Sequence, residues 1–222
     1  MRRGANLPDR KLAPVSDASI RRHPARERWN ERFAAPGGAP AQDAPSQWLL
    51  DNEDLLRSVA VPGRRALDVA AGNGRNALLL ASLGFAVDAL DISDVAIEQL
   101  RATARERNLP IHGRLCDLED ERLPDGTYDV VVTMNYLQRD LFAALEAAVA
   151  PGGLLVFETF GPGHLDELGA STNPAFVLGP GELPDAFGEL EVVRYEEGVV
   201  ERSGRPKGVA SLVARRRKHP QR

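Results

Sequence analysis

The sequence predicts an α/β protein: a doubly wound sheet of about seven strands, mostly parallel, with helices on both faces and an antiparallel hairpin at its C-terminal end. Three observations carry that expectation. After Gly63, short apolar runs alternate with longer amphipathic ones, the pattern of parallel strands joined by crossover helices. A glycine-containing turn, Gly72-Asn73-Gly74, links the first such run to the helix after it. The last two apolar runs are joined only by Glu201-Arg202-Ser203-Gly204-Arg205-Pro206, too short for a crossover helix, so they pair as a hairpin.

Residues 1–24 are polar, proline-punctuated and aperiodic; they cannot bury enough apolar surface to offset ordering and read as a mobile basic arm. Residues 25–60 read as capping helices. The first, 25–34, sets Trp29 and Phe33 four residues apart on one face and is ended by the Pro- and Gly-rich stretch 36–44. Ser46 is the expected N-cap of the second, 47–60, whose Trp48, Leu49, Leu55, Leu56 and Val59 form one apolar stripe ending at Pro62-Gly63. Within the main domain, 61–217, strands are expected at 66–70, 86–91, 111–116, 128–134 and 154–159. Helices at 76–83, 93–106 and 139–149 lie between them, the last followed by Pro151-Gly152-Gly153. Segments 190–200 and 207–215 form the hairpin, and 218–222 are a basic tail.

Composition narrows the function classes. Cys116 is the only cysteine, which excludes an intrachain disulfide framework and a cysteine-rich metal site, and His112 has no neighbouring Cys/His cluster that would imply zinc. The longest nearly apolar run, 77–87, falls well short of the roughly 18 residues of a membrane span, so no membrane segment is expected. The arginine-rich N-terminus is interrupted by Pro8, Asp9 and Asp17 and followed by no apolar core, which argues against a secretory signal and for a cytoplasmic protein. The formal net charge of −4 hides an uneven distribution: residues 1–35 hold nine Arg and Lys against four Asp and Glu, and Arg215, Arg216, Arg217, Lys218 and Arg222 crowd the other end. The body between is strongly acidic. Basic termini can touch phosphates, yet a solvated tail explains them more simply, and a nucleic-acid surface is not favoured.

The segment 66–91 carries the chemistry. A strand runs into a turn holding Gly72 and Gly74, a helix follows, and the next strand ends in Asp91. Glycines admit unusual dihedrals and close backbone approach to a ligand, and Asp91 can accept from both hydroxyls of a ribose. Gly72, Gly74 and Ala77 also satisfy the G-x-G-x-x-G/A form of a dinucleotide site, which keeps a nicotinamide-dependent oxidoreductase as an alternative. Asp68, four residues before Gly72, suits a cationic amine better than an anionic pyrophosphate.

On these residues the chain resembles the class I S-adenosylmethionine-dependent methyltransferases, with their Rossmann-like fold, over about residues 61–217. Asp68, Ala70, Gly72 and Gly74 stand where that family has an acid and a glycine-rich loop, Ala70 replacing the usual first glycine. The resemblance implies S-adenosyl-L-methionine as cofactor, with Asp91 on its ribose, Ile92 on an adenine face, Asp117 accepting from the adenine amino group and the Leu118 backbone at the ring edge. Pro151-Gly152-Gly153 and the terminal hairpin fit the family's seven-stranded sheet.

Within the family, Gly72-Asn73-Gly74-Arg75-Asn76 and the upstream Trp29-Asn30-Glu31-Arg32-Phe33 resemble the small-molecule branch of tellurite-resistance and thiopurine methyltransferases. That likeness implies that N-terminal helices cover the cofactor, with Trp29, Arg32 and Phe33 walling its methionine end; docking of those helices on the core explains the aromatics equally well. Asn135 follows the fourth strand, where the resemblance places cofactor and acceptor side by side. It is followed by Tyr136 and not by the Pro-Pro-aromatic sequence linked to methylation of bases and glutamine. Tyr136, Arg139 and His164 are candidate acceptor contacts, His164 within a 161–180 loop that can cover the acceptor; core packing, a helix-start charge and an ordinary surface histidine are the respective alternatives. The expected partner is a small-molecule acceptor, no catalytic base is assigned, and a non-catalytic module binding RNA or protein is the remaining alternative.

Overall fold

A computed structural model of the chain describes residues 23–35, 44–61, 63–170 and 172–218. The mobile arm expected over 1–24 lies almost wholly outside the described residues, as do most of the 36–44 break and all of the basic tail beyond Lys218. The strands are β1 (Arg65–Val69), β2 (Ala86–Asp91), β3 (Ile111–Leu115), β4 (Tyr128–Met134), β5 (Val149–Phe160), β6 (Glu191–Arg202) and β7 (Arg205–Arg215). The helices are α1 (Pro24–Ala34), α2 (Gln47–Asp51), α3 (Glu53–Val59), α4 (Arg75–Ser82), α5 (Asp94–Glu106), α6 (Phe142–Ala148) and α7 (Glu182–Ala186).

All seven strands join one sheet in the order β3-β2-β1-β4-β5-β7-β6. The first five are parallel, and β7 runs antiparallel to both β5 and β6. The expected mixed sheet is therefore the observed one. Chain order reverses between β1 and β4, and at such a switch point the crossovers leave in opposite directions and open a crevice at the C-terminal strand ends.

Apolar residues alternate between two layers. On one face α2 to α5 bring Trp48, Leu56, Leu80, Ile97 and Leu100 against Ala66, Val130, Val132 and Leu154. On the other, α6 and α7 bring Leu145 and Leu183 against Leu67, Val131, Phe157 and Leu212. Phe142, Phe157 and Phe187 cluster there in tilted and edge-on contacts at ring separations of 5.2–5.9 Å. Both faces of the central strands are buried, which is why they read as continuous apolar runs.

Some local expectations are corrected. The helix foreseen over 47–60 breaks at Asn52, whose Nδ2 donates to the Trp48 carbonyl at 2.6 Å while its Oδ1 accepts from Arg194. A side-chain amide here competes with the backbone ladder. Ser46 holds the N-cap position, but its hydroxyl makes no cap bond; its N–H donates to Asn76 Oδ1 at 2.9 Å. The helix foreseen over 139–149 is a 3-10 turn at Arg139–Leu141 followed by α6, and β5 already starts at Val149. The hairpin strands extend to Arg202 and from Arg205, leaving Ser203 and Gly204 at φ +53° and +75°, the left-handed pair that matches strand twist in a two-residue turn. Among the described residues no helix is long and apolar enough to cross a membrane.

Away from the crevice, Asp88 on β2 ties three strands. It accepts from Arg65 Nη2 at 2.8 Å and Tyr128 Oη at 2.9 Å, and His112 Nδ1 lies 3.4 Å away. Burial alone would raise its pKa, but these partners outweigh burial and hold it at about 2. A carboxyl depressed from its ordinary value stabilises the fold above the unfolded pKa near 4, and that contribution fades as pH falls through about 2. Asp88→Asn is therefore expected to cost on the order of 2 kcal/mol at neutral pH. Urea titrations should show the gap from wild type narrowing between about pH 4 and pH 2; a gap independent of pH would contradict the assignment.

Candidate functional site

The crevice is built by the turn after β1. Ala70, Gly72 and Gly74 all take left-handed backbone, at φ +57°, +56° and +86°. Ala71 N–H donates to the Leu90 carbonyl at 2.8 Å, which binds the turn to β2. Gly74 caps α4, and a Cβ there would lie 2.1 Å from Leu100 Cδ1, so only glycine lets α5 pack against it. Ala70 takes the left-handed conformation with its Cβ in place, at a cost of about 1–2 kcal/mol.

Three acids stand at the ends of successive strands. Asp91 closes β2 and is 7% exposed; Gly72 N–H donates to Oδ2 at 2.7 Å and Ser93 N–H to Oδ1 at 2.8 Å. Burial raises its pKa while these amides and that of Ile92 oppose the rise. A carboxylate has about four acceptor positions, so both oxygens can still accept from a diol. Asp68 is 1% exposed and its Oδ2 has no partner among the described residues. Burial lifts its pKa to about 7, against the Ala77 amide and the Arg75 charge. Asp117, equally buried, accepts from Glu119 N–H through Oδ1 at 3.0 Å and leaves Oδ2 without a partner. Of the eight buried side-chain polar atoms without a partner among the described residues, only these two are carboxylate oxygens, and they suit a ligand that brings hydrogen-bond donors.

This side of the crevice continues through Ile92, half-buried beside Asp91, and Leu118, buried after Asp117. Tyr136 joins this side. Its hydroxyl donates to Gln138 Oε1 at 2.6 Å, Gln138 Nε2 donates to the Leu118 carbonyl at 3.0 Å, and burial with the charges of Glu119, Asp117 and Asp91 drives its pKa upward. The structure thus sets Tyr136 beside the acids Asp91, Asp117 and Glu119.

Helix α1 lies over the turn without burying any residue. Arg26 and Asn30 hold Asp94, Ser93 Oγ donates to Asn30 Oδ1 at 2.7 Å, and Gln99 Nε2 donates to the Phe33 carbonyl at 3.1 Å. Phe33 is the residue that meets the turn: a Cβ on Gly72 would lie 3.0 Å from its Cζ. Trp29 is 6.0 Å from the Phe33 ring, and Arg32, exposed to solvent, places its guanidinium 5.1 Å from the Trp29 ring.

At the other end, Asn135 follows β4 at φ +58°, donating its N–H to the Glu158 carbonyl at 2.7 Å and accepting from Lys207 Nζ through Oδ1. Glu158, 3% exposed, accepts through Oε2 from Arg202 Nε at 2.9 Å and Ser211 Oγ at 2.8 Å. Arg202 also pairs with Glu196 and lies 5.7 Å from the Trp48 ring. Arg75 feels both Asp68 and Glu158, which sustain its charge against burial and join the two ends of the crevice. His164 is 7% exposed, stacks on Phe160 at 3.9 Å and faces Thr172 Oγ1 through Nε2 at 3.0 Å. Arg139 does not face this space: it pairs with Glu182 and donates to the carbonyls of Ala175 and Val177, fastening the loop after β5 to the rest of the fold. Sequence reasoning missed Glu158, Arg202, Ser211 and Lys207; the available signal was a charged residue, Glu158, directly after the apolar run Leu154-Leu155-Val156-Phe157 in a buried strand.

Comparisons with known proteins agree with this geometry. Residues 66–153 match the family described as a methyltransferase domain. The chain is 34% identical over 113 residues to a malonyl-[acyl-carrier protein] O-methyltransferase of Serratia marcescens, covering 49% of this chain and 43% of that protein. It is 32% identical over 107 residues to a ubiquinone biosynthesis O-methyltransferase of Xanthomonas campestris, covering 46% and 45%. The chain therefore spans less than half the length of these curated relatives. Among solved structures, TehB from Haemophilus influenzae superposes with a TM-score of 0.63 at 23% identity, over 75% of this chain and 62% of that one. Magnesium protoporphyrin IX methyltransferase from Synechocystis PCC 6803, solved with SAM bound, gives 0.57 at 19% identity, over 93% and 100%. The [4+2]-cyclase SpnF gives 0.60 at 19% identity, over 84% of each chain, so the fold alone does not name the reaction.

Two of the three left-handed positions, Ala70 and Gly74, should respond oppositely to substitution. Ala70→Gly relieves a strained conformation and is expected to raise stability by up to about 1 kcal/mol, partly offset by unfolded-state entropy. Gly74→Ala adds both strain and overlap with Leu100 and is expected to cost roughly 2–4 kcal/mol. Denaturant midpoints of the two variants check this, and a Gly74→Ala protein as stable as wild type would refute the turn geometry.

Proposed function

We propose that this chain, whose residues 66–153 match the methyltransferase-domain family, is a class I S-adenosylmethionine-dependent methyltransferase that transfers a methyl group to a small or moderate-sized acceptor. The observation that carries this reading is the set of three buried acids, Asp91 anchored by backbone amides and Asp68 and Asp117 each holding an oxygen without a partner. S-adenosylmethionine supplies a methyl group on a cationic sulfur, open to in-line displacement.

The residues divide the work of binding. Asp68 receives the α-ammonium at Oδ2, Asp91 the ribose hydroxyls and Asp117 the adenine amino group. Ile92 packs on the adenine face, and the Leu118 backbone meets the ring edge. Ala70, Gly72 and Gly74 bring backbone close to the methionine portion, Asn135 bounds it on the β4 side, and Trp29 with Arg32 forms the wall contributed by α1. A dinucleotide would instead bring a pyrophosphate towards Asp68 and Asp91, where like charge opposes it.

Catalysis then rests on placement. Holding an acceptor in line can supply roughly 7–11 kcal/mol of the barrier, and a protein base is required only for an acceptor that arrives protonated. The O-methyltransferase names of the two relatives support oxygen as the accepting atom.

Calorimetry with S-adenosylhomocysteine tests the reading. Asp68, with a pKa of about 7, is largely protonated below that pH in the unliganded protein and must lose its proton to pair with an ammonium. Affinity should therefore strengthen towards tenfold per pH unit from pH 5.5 to 7 and level off above pH 8. Asp68→Asn should flatten the profile, and Asp91→Ala should weaken binding at least tenfold. Tighter binding of NADH than of S-adenosylhomocysteine would overturn the assignment.

A further inference from the structure

The half of the crevice beyond the three acids has the opposite electrostatic character. Lys207, near the start of β7, reaches across the C-terminal ends of β4 and β5, where its Nζ donates to Asn135 Oδ1. Its ammonium lies 4.9 Å from the Phe160 ring, whose π-system is also stacked by His164 at 3.9 Å. An ammonium has three donors, and among the described residues no carboxylate lies within 4.0 Å of this one.

The surrounding charges do not neutralise it. Glu158 is the nearest acid in electrostatic terms, yet its Oε2 is already held by Arg202 and Ser211. Burial pushes the Lys207 pKa down, Glu158 opposes this, and Arg75 and Arg202 add to the lowering as like charges. His164 carries a second sign of an incomplete site: the residue is 7% exposed and its Nδ1 has no partner among the described residues. A half-buried cation without a counter-ion is costly to maintain unless something anionic completes it.

Resting on the methyl-transfer reading, we propose that the acceptor carries an anionic oxygen group, a carboxylate or an inorganic-type oxyanion, that docks on the Lys207 ammonium between Asn135, Phe160 and His164. The aromatic ring of Phe160 bounds the apolar side of this subsite, and Asn135, on the boundary with the cofactor end, brings the docked group beside the methyl donor. If Lys207 served only to brace the left-handed Asn135, its removal would alter cofactor affinity without conferring or removing any preference for anions.

The test is calorimetry on the full chain saturated with S-adenosylhomocysteine. The probes are benzoate against benzamide, malonate against malonamide, and selenite as the inorganic oxyanion. The proposal expects at least one carboxylate to bind ten times more tightly than its neutral amide, or selenite to bind measurably. It further expects that affinity to fall at least tenfold in Lys207→Met and to stay within about threefold in Lys207→Arg. Lys207→Gln replaces the Met variant if that one does not fold. A response of the carboxylates or of selenite identifies the source of the anionic group. No anion preference in wild type, or a preference that survives loss of the ammonium, overturns the proposal. Wild type that binds S-adenosylhomocysteine but shows no anion preference sinks this inference alone, whereas failure to bind S-adenosylhomocysteine sinks the methyl-transfer reading with it.

Discussion

The 2.7 Å hydrogen bond from the Gly72 amide to the Asp91 carboxylate is the constraint on which the site depends. A carboxylate buried at a strand end must be hydrogen-bonded, and the amides of Gly72 and Ser93 are the donors that meet it. To present the first of these, the chain after β1 has to curl towards β2, which requires left-handed backbone at Ala70, Gly72 and Gly74. Gly74 then admits Leu100 of α5, and Ser93, whose hydroxyl caps that helix at Ala96 N–H, aligns its start with the same carboxylate. Asp94 in the first turn of α5 in turn anchors α1 through Arg26 and Asn30. One acid thereby orients the turn, two helices and the covering segment.

The crevice is electrostatically divided. Asp68, Asp91, Asp117 and Glu119 gather around the ends of β1 to β3, and Arg75, Arg202 and Lys207 around those of β4, β5 and β7. Arg75 belongs to both groups, since Asp68 and Glu158 each support its charge. Such a division suits a cationic, amine-bearing cofactor at one end and an anionic acceptor at the other. It also makes each half sensitive to the occupancy of its neighbour, because a charge placed in a low-dielectric crevice is felt across it.

Much of this was legible in the sequence because it is local. Strand-helix alternation, the glycine turn and an acid ending each of the first strands are patterns of neighbouring residues, and the observed sheet follows them. The terminal hairpin was legible from the short connection, though its full length was not: Glu201 and Arg202 read as loop residues because an edge strand tolerates polar side chains. What escaped were bonds between distant residues. Arg139 looked like an acceptor contact until its partners Glu182, Ala175 and Val177 were in place. Asn52 looked like one more helical residue, since its competing bond to Trp48 depends on Arg194 holding the other end of its amide. The Glu158–Arg202–Ser211 cluster joins three positions that no sequence periodicity connects.

A crystal structure of the protein with S-adenosylhomocysteine tests the central claim most directly. The account requires the ligand's amino group within hydrogen-bond distance of Asp68 Oδ2, its ribose hydroxyls on the Asp91 carboxylate and its adenine amino group at Asp117 Oδ2. A nucleoside bound in the opposite direction, or one that leaves Asp68 and Asp117 without partners, would contradict it.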